Sequence, residues 1–84
     1  MELTDLPNIG KTLSGHLSKA GITTPDQLRA TGAEEAWLRI RLTADPGACL
    51  HELTALAGAV AGIPKKDLPE ARKAELKAFF NTHK

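Results

Sequence analysis

The spacing of glycine and proline constrains the fold of this chain more than any other feature of its sequence. Seven glycines and five prolines are distributed along 84 residues, so they divide the chain into short segments. Proline favours the first turn of a helix, and glycine favours the position just after its end. The segments between them are rich in leucine and alanine, and none shows a sustained alternation of polar and apolar residues. We therefore predict an all-α fold, a compact bundle of about five short helices preceded by an N-terminal turn.

Residue types typical of helix ends set the expected boundaries. Thr24, Pro25 and Gln27 have the spacing of a capping box with proline at the first helical position. Capping residues also stand at other boundaries, with Thr31 and Asp45 as expected N-caps and Gly21 and Gly62 as expected C-caps. The prediction places helices over residues 11–20, 25–30, 33–42, 46–61 and 69–81.

Length, charge and cysteine content limit the class of protein. A chain of 84 residues is expected to be one domain, covering residues 1–84, with a thin core. The formal net charge of +1 argues against a strongly cationic nucleic-acid binder, so any basic surface must be local. Cys49 is the single cysteine and cannot form an internal disulfide, which fits a reducing compartment.

Membrane insertion and secretion are not expected. The most apolar run, ALAGAVAGI, is too short to span a bilayer. The first residues, MELTDLPN, have neither the basic nor the apolar region of a secretory signal. We predict a cytoplasmic protein without a membrane partner.

The stretch LPNIGKT is the segment that most resembles a binding site. Asn8 and Gly10 are the residues best able to adopt a positive φ. In a hairpin between two helices, the backbone amides of Ile9, Gly10 and Lys11 would converge at the N-terminus of the second helix. Such amides bind anions together with the helix dipole, and Lys11 and Thr12 add a charge and a hydroxyl. The same loop would equally serve as a tight packing corner.

The loop also resembles that of helix-hairpin-helix modules, which hold DNA phosphates without reading bases. Their apolar-Pro-Gly-apolar-Gly pattern is matched here with Asn8 in place of the first glycine, where the amide side chain would crowd a phosphate. Non-specific DNA binding requires about 5.5–8 kcal/mol, which is more than one hairpin with one lysine supplies. A second contact is needed from a dimer mate, from another protein, or from Lys19, Lys65 or Lys66.

No catalytic or metal-binding constellation is evident in the sequence. Cys49 is expected to be a partly buried structural thiol that shares no metal with His51, because the two lie on different faces of a helix. His16 has no partner at ligand spacing, so neither a metal nor another cofactor is expected. Glu34 and Glu35 fit the first turn of a helix better than acid–base chemistry.

Small residues from Gly58 to Gly62 would let another segment approach closely. Packing within the chain is the expected role, and a homodimer or partner interface that also includes Lys65 and Lys66 is the alternative. Trp37 lies on an apolar helical stripe, where packing is the expected role and stacking on a base is the alternative.

Three stretches in order carry a family resemblance across nearly the whole chain: LPNIGKTLSGHLSKAGITTPDQLRATGAEEAWLRI, DPGACLHELTALAGAVAGI and DLP. They resemble the C-terminal domain of the TfoX/Sxy competence-regulator family. The resemblance implies a small helix-hairpin-helix, SAM-like fold and a role in regulating natural DNA transformation or related transcription. It implies no catalytic residues. The chain departs from the family pattern at Thr54 and Ala57, where the family often has tyrosine and glutamate, and at PKKDL, where an aromatic residue is usual.

We therefore predict a non-enzymatic regulatory module that contacts the DNA backbone weakly and without sequence preference. The predicted contact residues are Asn8, Ile9, Gly10, Lys11 and Thr12, with Lys19 flanking them. The alternative is a protein-interaction or dimerisation module, which binds a regulatory protein and has no direct contact with nucleic acid.

Overall fold

The computed structural model describes residues 1–83, which form five α-helices and two 3-10 turns. The turns, Leu3–Asp5 and Lys65–Asp67, precede the first and the last helix. The helices are α1 (Lys11–Lys19), α2 (Pro25–Thr31), α3 (Ala33–Thr43), α4 (Leu50–Ala61) and α5 (Glu70–His83). These residues contain no strand, so the predicted all-α fold is confirmed. None of the helices in this range is long and apolar enough to cross a membrane.

The predicted capping box opens α2. Thr24 has an extended backbone, and its Oγ1 accepts a hydrogen bond from the Gln27 amide at 3.1 Å. In return, the Thr24 amide donates to Gln27 Oε1 at 3.2 Å. Pro25 occupies the first helical position, where its missing N–H has no helical partner to lose. Gly21 follows α1 with a φ of 84° and Gly62 follows α4 with a φ of 77°, as predicted for C-terminal glycines.

Two predicted N-caps are wrong, each for a physical reason. Thr31 is the last residue of α2, where its Oγ1 donates to the Gln27 carbonyl oxygen at 2.7 Å. A residue in helical conformation cannot take the extended backbone of an N-cap, so Gly32 occupies that position at the start of α3. Asp45 accepts a hydrogen bond from the Gly47 amide at 3.0 Å, which forms a turn, and α4 begins only after this turn.

Trp37 on α3 lies at the centre of the core with 0% of its surface exposed. Its ring centroid lies 6.0 Å from that of Phe79 and 5.6 Å from that of Phe80, so aromatic contacts hold α5 against α3. Trp37 Nε1 donates to the Cys49 carbonyl oxygen at 3.2 Å. The packing role predicted for Trp37 is confirmed. The prediction that Cys49 is partly buried is wrong, because Cys49 is exposed. The other fully buried large side chains come from every helix and from the loop after α1: Leu17, Ile22, Leu28, Ile40, Leu53, Leu56 and Leu76.

An ion pair connects the first turn of α3 to α5. The Arg72 guanidinium donates to both carboxylate oxygens of Glu34, from Nη1 at 2.6 Å and from Nη2 at 2.9 Å. The hydrogen bond from Arg72 lowers the pKa of Glu34, and the same bond raises the pKa of Arg72. The sequence alone predicts only a first-turn role for Glu34, because Arg72 lies 38 positions away.

Candidate functional site

The predicted hairpin segment, residues 6–10, joins the first 3-10 turn to α1 and contains a single left-handed residue. Asn8 has a φ of 70°, which is the conformation predicted for this position. Gly10 is the N-cap of α1 and is extended, with a φ of −98° and a ψ of −170°, so the positive φ considered for it is not found. Leu6 and Ile9 are each 5% exposed and anchor the two sides of the hairpin in the core.

The side chain of Asn8 points into the protein and ties the hairpin to the end of α4. Its Nδ2 donates to the carbonyl oxygen of Ile63 at 3.0 Å and to that of Ala55 at 3.4 Å. Its Oδ1 accepts a hydrogen bond from the Lys65 amide at 3.1 Å. The Asn8 amide group therefore does not crowd the exposed side of the hairpin, and the crowding expected from the sequence is not found. Asn8 positions the hairpin and offers no side-chain contact to a phosphate.

Gly58 provides the space that the Asn8 side chain occupies. A Cβ at position 58 would overlap Asn8 Nδ2 and would lie 2.8 Å from the Ile63 carbonyl oxygen and 3.1 Å from Lys65 Cα. Gly58 is therefore covered by its own chain, and a second chain could not approach it in this conformation. Gly62 is exposed and ends α4, and a Cβ there would meet no atom within 4 Å. In the strip of small residues from Gly58 to Gly62, Gly58 therefore serves packing within the chain.

Three backbone amides at the start of α1 lack an acceptor among the described residues. Within residues 1–83, the backbone amides of Gly10, Lys11 and Thr12 donate to no protein acceptor, and no side chain caps the helix. All three residues are exposed. The Ile9 amide differs from the prediction, because it faces the Leu6 carbonyl oxygen at 3.5 Å and belongs to the turn. The exposed free donors are therefore the amides of Gly10, Lys11 and Thr12, one residue later in the chain than the predicted set that begins at Ile9.

A second lysine adjoins these amides. The hydrogen bond from the Lys65 amide to Asn8 holds Lys65 beside the hairpin, and Lys65 is exposed. Lys65 and Thr12 line the same open cavity of about 250 Å³. The structure thus brings a residue of the alternative interface to the hairpin, although 57 positions separate it from Asn8. Gly58 is the sequence signal for this proximity, because a residue without a side chain lets Asn8 and Lys65 lie close to α4.

Lys19 and Lys66 are less closely placed. Lys19 is the last residue of α1 and lies about 12 Å along the helix axis from Lys11, which is more than two helical turns from the hairpin. Lys66 is exposed in the second 3-10 turn, next to Lys65, and its carbonyl oxygen accepts a hydrogen bond from Lys73 Nζ at 3.2 Å. The compact part of the candidate site is the hairpin with Lys11 and Lys65.

Comparison with known proteins places the chain in a family. The model of the TfoX C-terminal domain matches residues 1–80. The chain belongs to the TfoX C-terminal domain family. The resemblance predicted from the sequence is thereby confirmed. Protein Sxy of Escherichia coli is 40% identical to this TfoX C-terminal domain over 76 residues, which cover 88% of this chain and 35% of Sxy. The chain thus spans about a third of the length of that curated relative.

Two crystal structures of proteins from Listeria monocytogenes share the fold. An uncharacterized protein in a triclinic form matches with a TM-score of 0.96 and 49% identity, covering 99% of this chain and 93% of that chain. A protein of unknown function in a tetragonal form matches with a TM-score of 0.94 and 50% identity, covering 98% of this chain and 99% of that chain. The arrangement of helices in this TfoX C-terminal domain is therefore shared over nearly its whole length.

Proposed function

We propose that this TfoX C-terminal domain is a non-enzymatic regulatory module of the cytoplasm that contacts the DNA backbone through its hairpin. Membership of the family and the similarity to Sxy support a role related to competence or transcription regulation. The observation that carries the DNA contact is the set of free amides at Gly10, Lys11 and Thr12 in exposed residues, with Lys65 lining the same cavity as Thr12. Amides at the positive end of a helix dipole bind phosphate without reading the base sequence.

The available contacts match weak, non-specific binding. A hydrogen bond to a charged group contributes about 1.5–3 kcal/mol, and several bonds to one phosphate do not add fully. Non-specific binding with a Kd of about 10⁻⁴ to 10⁻⁶ M requires about 5.5–8 kcal/mol. Lys65 supplies the second contact that the hairpin alone lacks, since its backbone is fixed to Asn8. We therefore expect two phosphates to be neutralised, one by Lys11 and one by Lys65.

Fluorescence anisotropy on a labelled duplex, repeated over a range of salt concentrations, tests this proposal. Two neutralised phosphates give a slope of log K against log salt of about −2. We expect Lys11→Ala and Lys65→Ala each to weaken binding and to reduce the magnitude of the slope by about 1. Lys77→Ala is the matched control, because it removes the same charge from an exposed position on α5. Equal effects of all three substitutions would contradict a hairpin contact.

Gly10→Val tests the amides without disturbing the core. The φ of Gly10 is open to any residue, and a Cβ there would meet no atom within 4 Å. The valine side chain would cover the amides that are proposed to meet the phosphate, so we expect binding to fall by about tenfold or more. If Gly10→Val binds DNA as the wild type does, the hairpin contact is wrong.

A protein-interaction module without DNA contact is the second candidate. The observation in its favour is an exposed apolar surface at the end of α3, where Leu42 is 86% exposed. Leu38, Leu42 and Pro46 line an open cavity of about 430 Å³. Two results together would favour this candidate over the first. The wild type would not bind DNA at low salt, and the Leu42→Asp variant would lose binding to a partner protein that the wild type binds.

A further inference from the structure

Three side chains that are far apart in sequence converge between α1, α4 and the turn before α4. His16, Asp45 and Glu52 each place one nitrogen or oxygen atom within 4.8 Å of the corresponding atoms of the other two. All three residues are partly buried. No ligand partner for His16 is evident from the sequence, because Glu52 lies 36 positions away, on another helix.

The local structure fixes the orientation of each group. His16 Nδ1 lies 3.1 Å from Glu52 Oε1, and the two side chains are only 25% and 13% exposed. Asp45 Oδ1 accepts a hydrogen bond from the Gly47 amide at 3.0 Å, which holds the carboxylate in its turn. Asp45 is anchored further by its own amide, which donates to the Ile40 carbonyl oxygen at 2.8 Å. The three donors are therefore preorganised by three separate parts of the fold.

Within residues 1–83, no lysine or arginine forms an ion pair with this cluster, although Lys65 lines the same cavity as His16 and Glu52. In the part of the chain that the structure describes, the ion pairs of Lys and Arg involve other acidic residues, and Glu52 is paired with His16 alone. Two nearby carboxylates repel each other, and a cation between them removes that cost. A cation at this cluster would offset the negative charge of Asp45 and Glu52.

We propose that His16, Asp45 and Glu52 bind one divalent transition-metal ion, with Zn²⁺ as the ion to test. Imidazole and carboxylate are both zinc ligands, and three protein ligands leave a fourth position for water. Two ligands of a tetrahedral zinc ion lie about 3.3 Å apart, which is close to the observed separation of the His16 and Glu52 donor atoms. The cavity lined by His16 and Glu52 gives the ion access from solvent. This inference does not depend on DNA binding.

The bound ion would link α1 to α4 and to the turn that precedes α4. An ion that binds only the folded chain raises its apparent stability in proportion to the logarithm of the ion concentration. The His16–Glu52 hydrogen bond of the metal-free chain would be replaced by two bonds to the metal. The expected consequence is a higher Tm in the presence of zinc.

Thermal unfolding of the full chain, after removal of metals by a chelator, tests the proposal. We expect ZnCl₂ at a large excess over Kd to raise the Tm of the wild type by roughly 5 °C or more. Titration calorimetry should give one zinc ion per chain. The Tm increase should be lost in His16→Gln, in Glu52→Gln and in Asp45→Asn. Asp45→Asn keeps an oxygen that can accept the Gly47 hydrogen bond, so it is the variant least able to disturb the fold.

Two controls separate this site from zinc bound elsewhere on the surface. His83→Gln removes an exposed histidine from α5, and Cys49→Ser removes the exposed thiol. Both variants should retain the full Tm increase. No increase in the wild type, or the same increase in Asp45→Asn or His16→Gln as in the wild type, would overturn the proposal and leave adventitious binding only.

Discussion

At the scale of single residues, the hairpin depends on Asn8 and on the space that Gly58 leaves for it. Asn8 supplies both the left-handed backbone and three hydrogen bonds, one to the middle of α4 and two to the segment that follows it. A glycine at position 8 would supply only the backbone conformation. Compared with a glycine at this position, asparagine therefore adds an anchor, because its side chain turns inward.

Gly58→Ala should destabilise the protein, although alanine is the better helix former. The new Cβ would overlap the Asn8 side chain and the backbone near Ile63, which costs about 1–3 kcal/mol. The gain in helix propensity is about 1 kcal/mol at most. Gly15→Ala is the matched control, since it is an exposed position within α1 with open space around its Cβ, and it should stabilise the protein. Urea unfolding measures both, and a Gly58→Ala protein as stable as Gly15→Ala would refute the close approach.

At the scale of helices, the attachment of α5 combines an apolar contact with an ion pair. Leu76 is fully buried, and Phe79 and Phe80 pack on Trp37. The Glu34–Arg72 pair adds a connection between α5 and the first turn of α3. Because both side chains are about one-third exposed, this pair contributes about 0.5–1 kcal/mol.

The contribution of Glu34 should depend on pH. Its pKa is lowered in the folded state by the hydrogen bond from Arg72, so its stabilising effect is complete above the unfolded-state pKa and is lost as pH falls through the folded-state pKa. We expect Glu34→Gln to lower the free energy of unfolding at pH 7 by about 0.5–1 kcal/mol and to have little effect in acid. Glu35→Gln is the control, since its pairing with Arg39 is more exposed and should matter less. Denaturant unfolding of both variants at several pH values measures this, and an effect of Glu34→Gln that does not change with pH would contradict it.

At the scale of the whole molecule, the features that could be predicted from sequence are the local ones. The all-α class, the capping box at Thr24 and the terminal glycines follow from short-range backbone chemistry. The errors at Thr31 and Asp45 arise where a capping residue has a competing local hydrogen bond. Contacts between distant segments could not be predicted, because helix periodicity does not say which helix faces meet. These include the anchor from Asn8 to the Ile63–Lys65 segment and the cluster at His16.

The most direct test of the account is an NMR titration of the ¹⁵N-labelled chain with a short DNA duplex. The central claim is that an anchored hairpin presents the amides at the start of α1 to a phosphate. We expect the backbone amide signals of Gly10, Lys11 and Thr12 to shift most, with smaller shifts at Lys65, while signals from the exposed face of α5 around Lys77 stay in place. A titration in which the hairpin signals stay fixed while others shift, or in which no signal shifts at millimolar DNA, would contradict the claim.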